Sequence, residues 1–381
     1  MPLVVGLALA CGVLGAVGWY TSAGVLAVPT PGRIVRSDRV LPLPRAIVRT
    51  DECTRTLAPW RLPGFSPARL DGLLRGAGLD DTLRATVESQ ARYDASGCTV
   101  TVDLDTVARL PATARGALYQ ALGQSALNTL QAAPFRRAAG LPRWQDAPGL
   151  PAAARDLLDG LTWREGDDVL FADLPVVCNA LATDDDRVAF IAVIKGRPAV
   201  EARVVVPHGA DVDPIVRYWL PRGGPEARAL GQRLAALAAR PGHGEVDVAD
   251  LLPPVARSRL DTFPAEGEQL DCFWTTLNFD ADEGPSDRLR HGDGFEAVLA
   301  AEWQPVDLGA MRLGDAVVFR TPGRGVTHAA VYVAEALVFT KNGGSSRRPW
   351  VLSTLDDVRG VYPGATDVRA YRRRPGITPT R

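Results

Sequence analysis

The chain reads as an α+β protein, and three observations carry that expectation. Pro225 to Arg240 has Leu230, Leu234 and Leu237 along one side and is stopped by Pro241-Gly242, the pattern of an amphipathic helix. Ala199 to Val206 alternates instead, with Val200, Ala202, Val204 and Val206 on one face, the period of a strand. The C-terminal third then carries short apolar runs, Ala316 to Arg320, Ala329 to Val333 and a third from Ala336, spaced as adjacent antiparallel strands.

At 381 residues there is room for two or three domains. Hydrophobic residues make up 46% and charged residues 23%, an ordinary globular balance. A net charge of −1 gives no reason to expect a nucleic-acid partner. The cations are almost all arginine, Lys195 and Lys341 being the lysines.

Leu3 to Val28 contains no charged residue, long enough to cross a hydrocarbon core, which takes about 20 residues. Two readings stay open: a signal peptide cut after Ala27, or an uncut anchor that touches the membrane through residues 3–28. Export to the envelope, cut or anchored, is the expectation, against a cytoplasmic flank that Arg33, Arg36 and Arg39 would favour. Residues 29–50 hold Pro29, Pro31, Pro42 and Pro44 among arginines and read as a linker.

Region 51–262 reads as a mixed, mainly helical accessory region. Ser66-Pro67 supplies an N-cap and a first-turn proline, with Leu70, Leu73 and Leu74 behind it. Asp81 to Gln90 follows as a second helix with Leu83 and Val87 on one face, and Gly97 to Leu104 switches to strand alternation. Pro111 to Leu130 returns to helix, and Pro151 to Leu161 is a short one. Val188 to Lys195 reads as a strand that turns at Gly196-Arg197-Pro198 into the one after it. Asp184-Asp185-Asp186 lacks spaced partners for a metal and reads as a solvated turn. The tail from Arg372-Arg373-Arg374-Pro375 onward, and residues 376–381 above all, reads as a solvated end.

The chemistry concentrates between Leu270 and Asn342. A cysteine nucleophile must become thiolate, and an ordinary thiol titrates near about 8.5. A helix N-terminus and a nearby imidazole both favour the anion. Asp271 is a good N-cap, which puts Cys272 at the first helical position, where backbone N–H groups would also hold an oxyanion. Phe273, Trp274, Leu277 and Phe279 would pack this helix on a sheet. Of the four histidines, His328 opens a strand-like run, whereas His208 and His243 sit in turns and His291 in a polar loop. A third polar group should orient the imidazole. Asn342 is the first choice and Thr340 the alternative; Lys341 points to substrate. Cys11 lies in the apolar segment. With Cys272 free, Cys53–Cys98 is the simplest disulfide, the alternative being that all the thiols are reduced and buried.

A Cys at a helix start after Asp271, then Leu313-Gly314-Asp315 leading into apolar residues and Phe319, then His328 opening a strand that continues to Val331-Tyr332-Val333, resembles the NlpC-type, papain-like cysteine peptidases. The resemblance covers roughly residues 265–375. It implies a domain over 263–375 in which a Cys-bearing helix packs on an antiparallel sheet carrying the His. Cys272 would be the nucleophile, His328 the base and Asp315 part of a structural turn; the choice of Asn342 as third residue comes from its amide and not from the resemblance. Trp274, Thr340 and Lys341 would contact substrate. The implied substrate is a peptide or amide bond of a cell-wall stem peptide, with no metal and no cofactor. Phe273-Trp274 stands where the family has Ser-Gly, and no His lies near Phe339 or Thr340, where the third residue is often a His. Two alternatives follow: a non-catalytic binding or scaffold module at the envelope, and an acyltransferase using the same pair.

Overall fold

The computed structural model describes residues 29–281 and 294–376. It is a mixed α and β structure whose sheets are antiparallel throughout. The expected segment 3–28, His291 and nearly all of the 376–381 tail lie outside the described residues. Among the described residues no helix is long and apolar enough to cross a membrane.

Among the described residues the buried apolar side chains form four clusters, and the two largest divide the chain. The first gathers residues from Leu43 to Ile194. It is built from helices including Pro67–Gly76, Asp81–Ser89, Ala112–Leu122 and Ala152–Leu161, with two small three-stranded sheets. Local chemistry explains these elements. Ser66 accepts from the Arg69 N–H with Pro67 in the first turn, and Asp80 caps the next helix through Leu83 N–H. The expected helix 111–130 ends at Leu122 and resumes only as the short turn Thr129–Ala132. The expected strand 97–104 stops at Val100, because Asp103 caps a new helix at Leu104.

One element is reversed from expectation. Residues 188–194 are helical, not extended, within the helix Asp184–Ile194, and Lys195 is its C-cap. Thr183 caps it through the Asp186 N–H, and Asp184, Asp185 and Asp186 form its first turn, where the helix dipole favours anions. Ala189 to Ile194 are all buried, so this half of the helix has no polar face and no helical period to read.

The second core runs from Val200 to Leu352 and includes both the middle of the chain and the C-terminal sheet. The expected boundary near 262 is therefore not where the cores part; that falls between Ile194 and Val200. The strand Arg197–Pro207 pairs on one side with His243–Asp247 and on the other with Arg33–Leu41. The last corrects the linker reading of 29–50: the prolines bracket a nine-residue strand rather than interrupt one.

The C-terminal sheet has six strands in the order Trp303–Val306, Asp367–Arg373, Ala316–Thr321, Gly325–Ala334, Leu337–Lys341, Trp350–Thr354. Arg372 and Arg373 are thus sheet residues, not a solvated end. Arg372 forks onto Asp315 at 2.9 and 2.6 Å, and Arg373 lies over the Trp303 ring at 5.1 Å. The helix Cys272–Asn278 covers one side of this sheet, joining Trp274 and Phe279 to Val331, Val333, Phe339 and Trp350, and Leu277 to Ala329. The helix Leu355–Val361 covers the other through Val358, which meets Val317, Phe319, Ala330 and Val338.

The disulfide joins Cys53 to Cys178, with Cα atoms 5.6 Å apart, and corrects the Cys53–Cys98 expectation. Cys98 is a buried free thiol on the strand Gly97–Val100, bonded to the Tyr93 hydroxyl. Cys53 ends a short turn that faces the helix Leu174–Ala180, which carries Cys178.

Candidate functional site

Asp271 does cap the helix that Cys272 begins. Its carboxylate accepts from the N–H groups of Phe273 and Trp274, both at 2.9 Å. These two N–H groups are therefore spent and cannot serve an oxyanion; the N–H of Cys272 itself remains turned toward the sulfur. Thr275 ties the helix back to the Asp271 carbonyl at 2.7 Å and accepts from the Trp350 indole at 2.9 Å. The first helical turn is thereby fixed to the far edge strand of the sheet.

The sulfur lies against the histidine strand, where the N–H of Ala329, next to His328, donates to it. A gap in strand pairing accommodates this. Pairing of 325–334 with 337–341 begins at Val331 opposite Phe339, so residues 328–330 stand outside that ladder. On its other side the strand stays paired, His328 opposite Phe319, with a bulge just beyond at Arg320.

His328 alternates away from the helix body, onto the side of Phe319 and Ala330. Its ring stacks on Tyr362 with centroids 4.2 Å apart and planes 14° from parallel, and lies 5.5 Å from the Phe319 ring. Nε2 is 3.0 Å from the Thr340 hydroxyl, while Nδ1 is buried and has no hydrogen-bond partner. The tautomer that donates from Nε2 to Thr340 leaves the Nδ1 lone pair as the available base. No hydrogen bond joins thiol to imidazole. Burial, followed by the Cys272 charge, pushes the Tyr362 hydroxyl up.

Electrostatics hold the pair neutral. Burial, followed by the Asp271 carboxylate, pushes the Cys272 thiol up to about 12, against smaller help from Ala329 N–H and Lys341. Burial alone pushes His328 down to about 3. Cys272 is 4% exposed, and His328, Thr340 and Lys341 are fully buried.

The remaining expected residues sort differently. Thr340, not Asn342, is the group on the imidazole; Asn342 falls just past the strand end, its Oδ1 without a partner, beside a small cavity shared with Arg348, Ser353 and Asp357. The reason is alternation: Thr340 shares the His328 side of the sheet, and Asn342 lies beyond the ladder. Trp274 is a core residue, edge-on to Trp350 at 6.2 Å, and presents no face to a substrate. Lys341 does not reach outward either; its ammonium donates to the carbonyls of Gly343 at 2.6 Å and Ser345 at 3.1 Å and lies 5.5 Å from the Trp350 ring. Burial pulls it down to about 8, against smaller opposing contributions from Cys272, Asp271 and Glu268.

Asp315 is structural. It turns back onto the Arg312 N–H at 2.8 Å and pairs with Arg372, while Gly314 before it adopts φ +91°, open to glycine. His208 is exposed at a turn, while His243, expected in a turn, is exposed as the first residue of the strand His243–Asp247. Tyr362 was not foreseen; a lone tyrosine after a helix carries no signal that it will stack on a histidine 34 positions earlier. Among the described residues no group of three or more His, Cys, Asp or Glu is placed to hold a metal. Compared with protein-family models, with curated proteins and with solved structures, the chain finds no match.

Proposed function

We propose that the protein is an exported thiol hydrolase of the papain-like, NlpC-type kind, cleaving an amide bond of a cell-wall stem peptide through Cys272 and His328. The observation that carries the reading is the state of the imidazole: Nε2 engaged by Thr340, Nδ1 bare and buried, and the Cys272 sulfur on the N–H of the adjoining residue. That is the division of labour a general base requires. On substrate entry Nδ1 takes the thiol proton as the sulfur attacks the carbonyl. The oxyanion would be held by the Cys272 N–H. The imidazolium returns the proton to the leaving amine, and water then cleaves the thioester and regenerates the thiol. Starting from a neutral pair, both groups must be brought toward ionisation by the bound substrate, so an unliganded site is expected to react slowly with general thiol reagents. The Cys53–Cys178 bond supports an oxidising compartment.

The test uses cell-wall stem peptides and counts released amines. Cys272→Ala is expected to lower the rate roughly 10³-fold or more with unchanged melting temperature. Activity that survives the substitution removes the reading. A second reading, a non-catalytic envelope module, is favoured by the burial of Cys272, His328 and Thr340 together. It predicts no amine release from any stem peptide by the native chain, together with retained binding.

A further inference from the structure

The first core borders a cleft of about 1020 Å³, roofed by the helix Ala112–Leu122 and floored by the strands around Arg137, Trp163 and Leu170. It contains none of the thiol-site residues. Arg137 is only 6% exposed, yet its side chain has no ion pair and no hydrogen bond, and its Nε is buried without a partner. It rests over the Trp144 ring at 4.9 Å, and the Trp144 indole N–H is likewise buried and unpartnered. Burial alone draws the Arg137 guanidinium down to about 10, with no carboxylate to offset it.

A buried, unpaired cation is costly, and buried polar groups in folded proteins are nearly always satisfied. The neighbouring cations do not share the role. Arg136 is committed to Glu165 and Asp168, Arg143 to Asp146 and Asp159, and Arg164, which also lines the cleft, is exposed rather than buried. A doubly charged phosphate would want a second free cation at this depth; a single carboxylate matches one guanidinium fork. Gln120, Gln124 and Gln131 also line the cleft, and their amides pair naturally with peptide groups.

We propose that this cleft binds the carboxylate end of an extended, peptide-like molecule, its acid head on Arg137 and its amide backbone along the glutamines. The site stands apart from Cys272 and the proposal does not rest on hydrolysis there.

The experiment titrates the full chain with N-acetylated tripeptides carrying a free C-terminal carboxylate, with the same peptides amidated, and with inorganic phosphate, following tryptophan fluorescence. The acids are expected to bind at least ten-fold tighter than the amides, with phosphate weaker than either. Arg137→Gln should erase the difference between acid and amide, and Arg137→Lys should keep part of it. Arg137→Met should raise the melting temperature of the unliganded chain, because it removes an unpaired buried charge. Equal binding of acid and amide, tighter binding of phosphate, no saturable binding, or an Arg137→Met variant less stable than the parent would each overturn the proposal.

Discussion

At the scale of single residues, His328 carries the most consequence. Its imidazole is held neutral, with a folded pKa of about 3 against an ordinary value of about 6.5. The unfolded chain therefore binds the extra proton first, and stability present above pH 6.5 is lost as pH falls toward 3. Between pH 6.5 and 4 this contributes a loss of up to about 3 kcal/mol. His328→Gln should shrink the drop in denaturation midpoint over that window; an identical drop would mean the ring is not buried neutral. Thr340→Val removes the one partner of Nε2 while keeping the shape. It should lower the turnover number by roughly ten- to hundred-fold and cost about 1–3 kcal/mol of stability by orphaning a buried ring nitrogen, and Thr340→Ser should restore most of both. The Asp271 cap and the helix start at Cys272 were legible because N-cap chemistry leaves a local mark, whereas His328, expected to open its strand, is the fourth residue of one that begins at Gly325. Thr340 against Asn342 was not settled locally, since choosing between them needs the register of a strand pairing, which depends on the whole sheet. Trp274 and Lys341 look chemically suited to a substrate, but neither residue alone reveals that it faces the core.

At the scale of elements, the seven-residue helix Cys272–Asn278 is too short to be stable by itself and is held by its cap and by Trp350. Asp271→Ala exposes two backbone N–H groups and should cost about 1 kcal/mol, read as a lowered unfolding midpoint. The loop past Lys341 is fixed from the other core: Glu52 binds both Arg347 and Lys195, and Arg347 first, then Lys195, hold its carboxyl down to about 2. Elements with one wet face, such as Gly224–Ala238 and Arg197–Pro207, follow their periodicity closely. The helix Asp184–Ile194 escaped because burial on all sides of its second half erases the period, leaving a β-branched, apolar run that mimics a strand.

At the scale of the whole molecule, sequence order conceals how the chain divides. The strand Arg33–Leu41 crosses from one end to pair with residues 197–205, so the cores part where a helix ends at Ile194 rather than where composition changes. The disulfide spans 125 residues, and closing so long a loop is worth up to about 5 kcal/mol on chain-entropy grounds. Replacing Cys53 and Cys178 together by serine should lower the unfolding free energy by a few kcal/mol, whereas Cys98→Ser should change it far less; equal effects would contradict the pairing. The claim on which the function rests is that Cys272 becomes acylated. Its most direct test is the intact mass of the full chain, quenched in acid during turnover of a stem peptide and followed by mapping of the adduct. The account predicts a thioester of the acyl fragment on Cys272, absent in Cys272→Ala; product that accumulates with no adduct on that sulfur, or an adduct on another thiol, would contradict it.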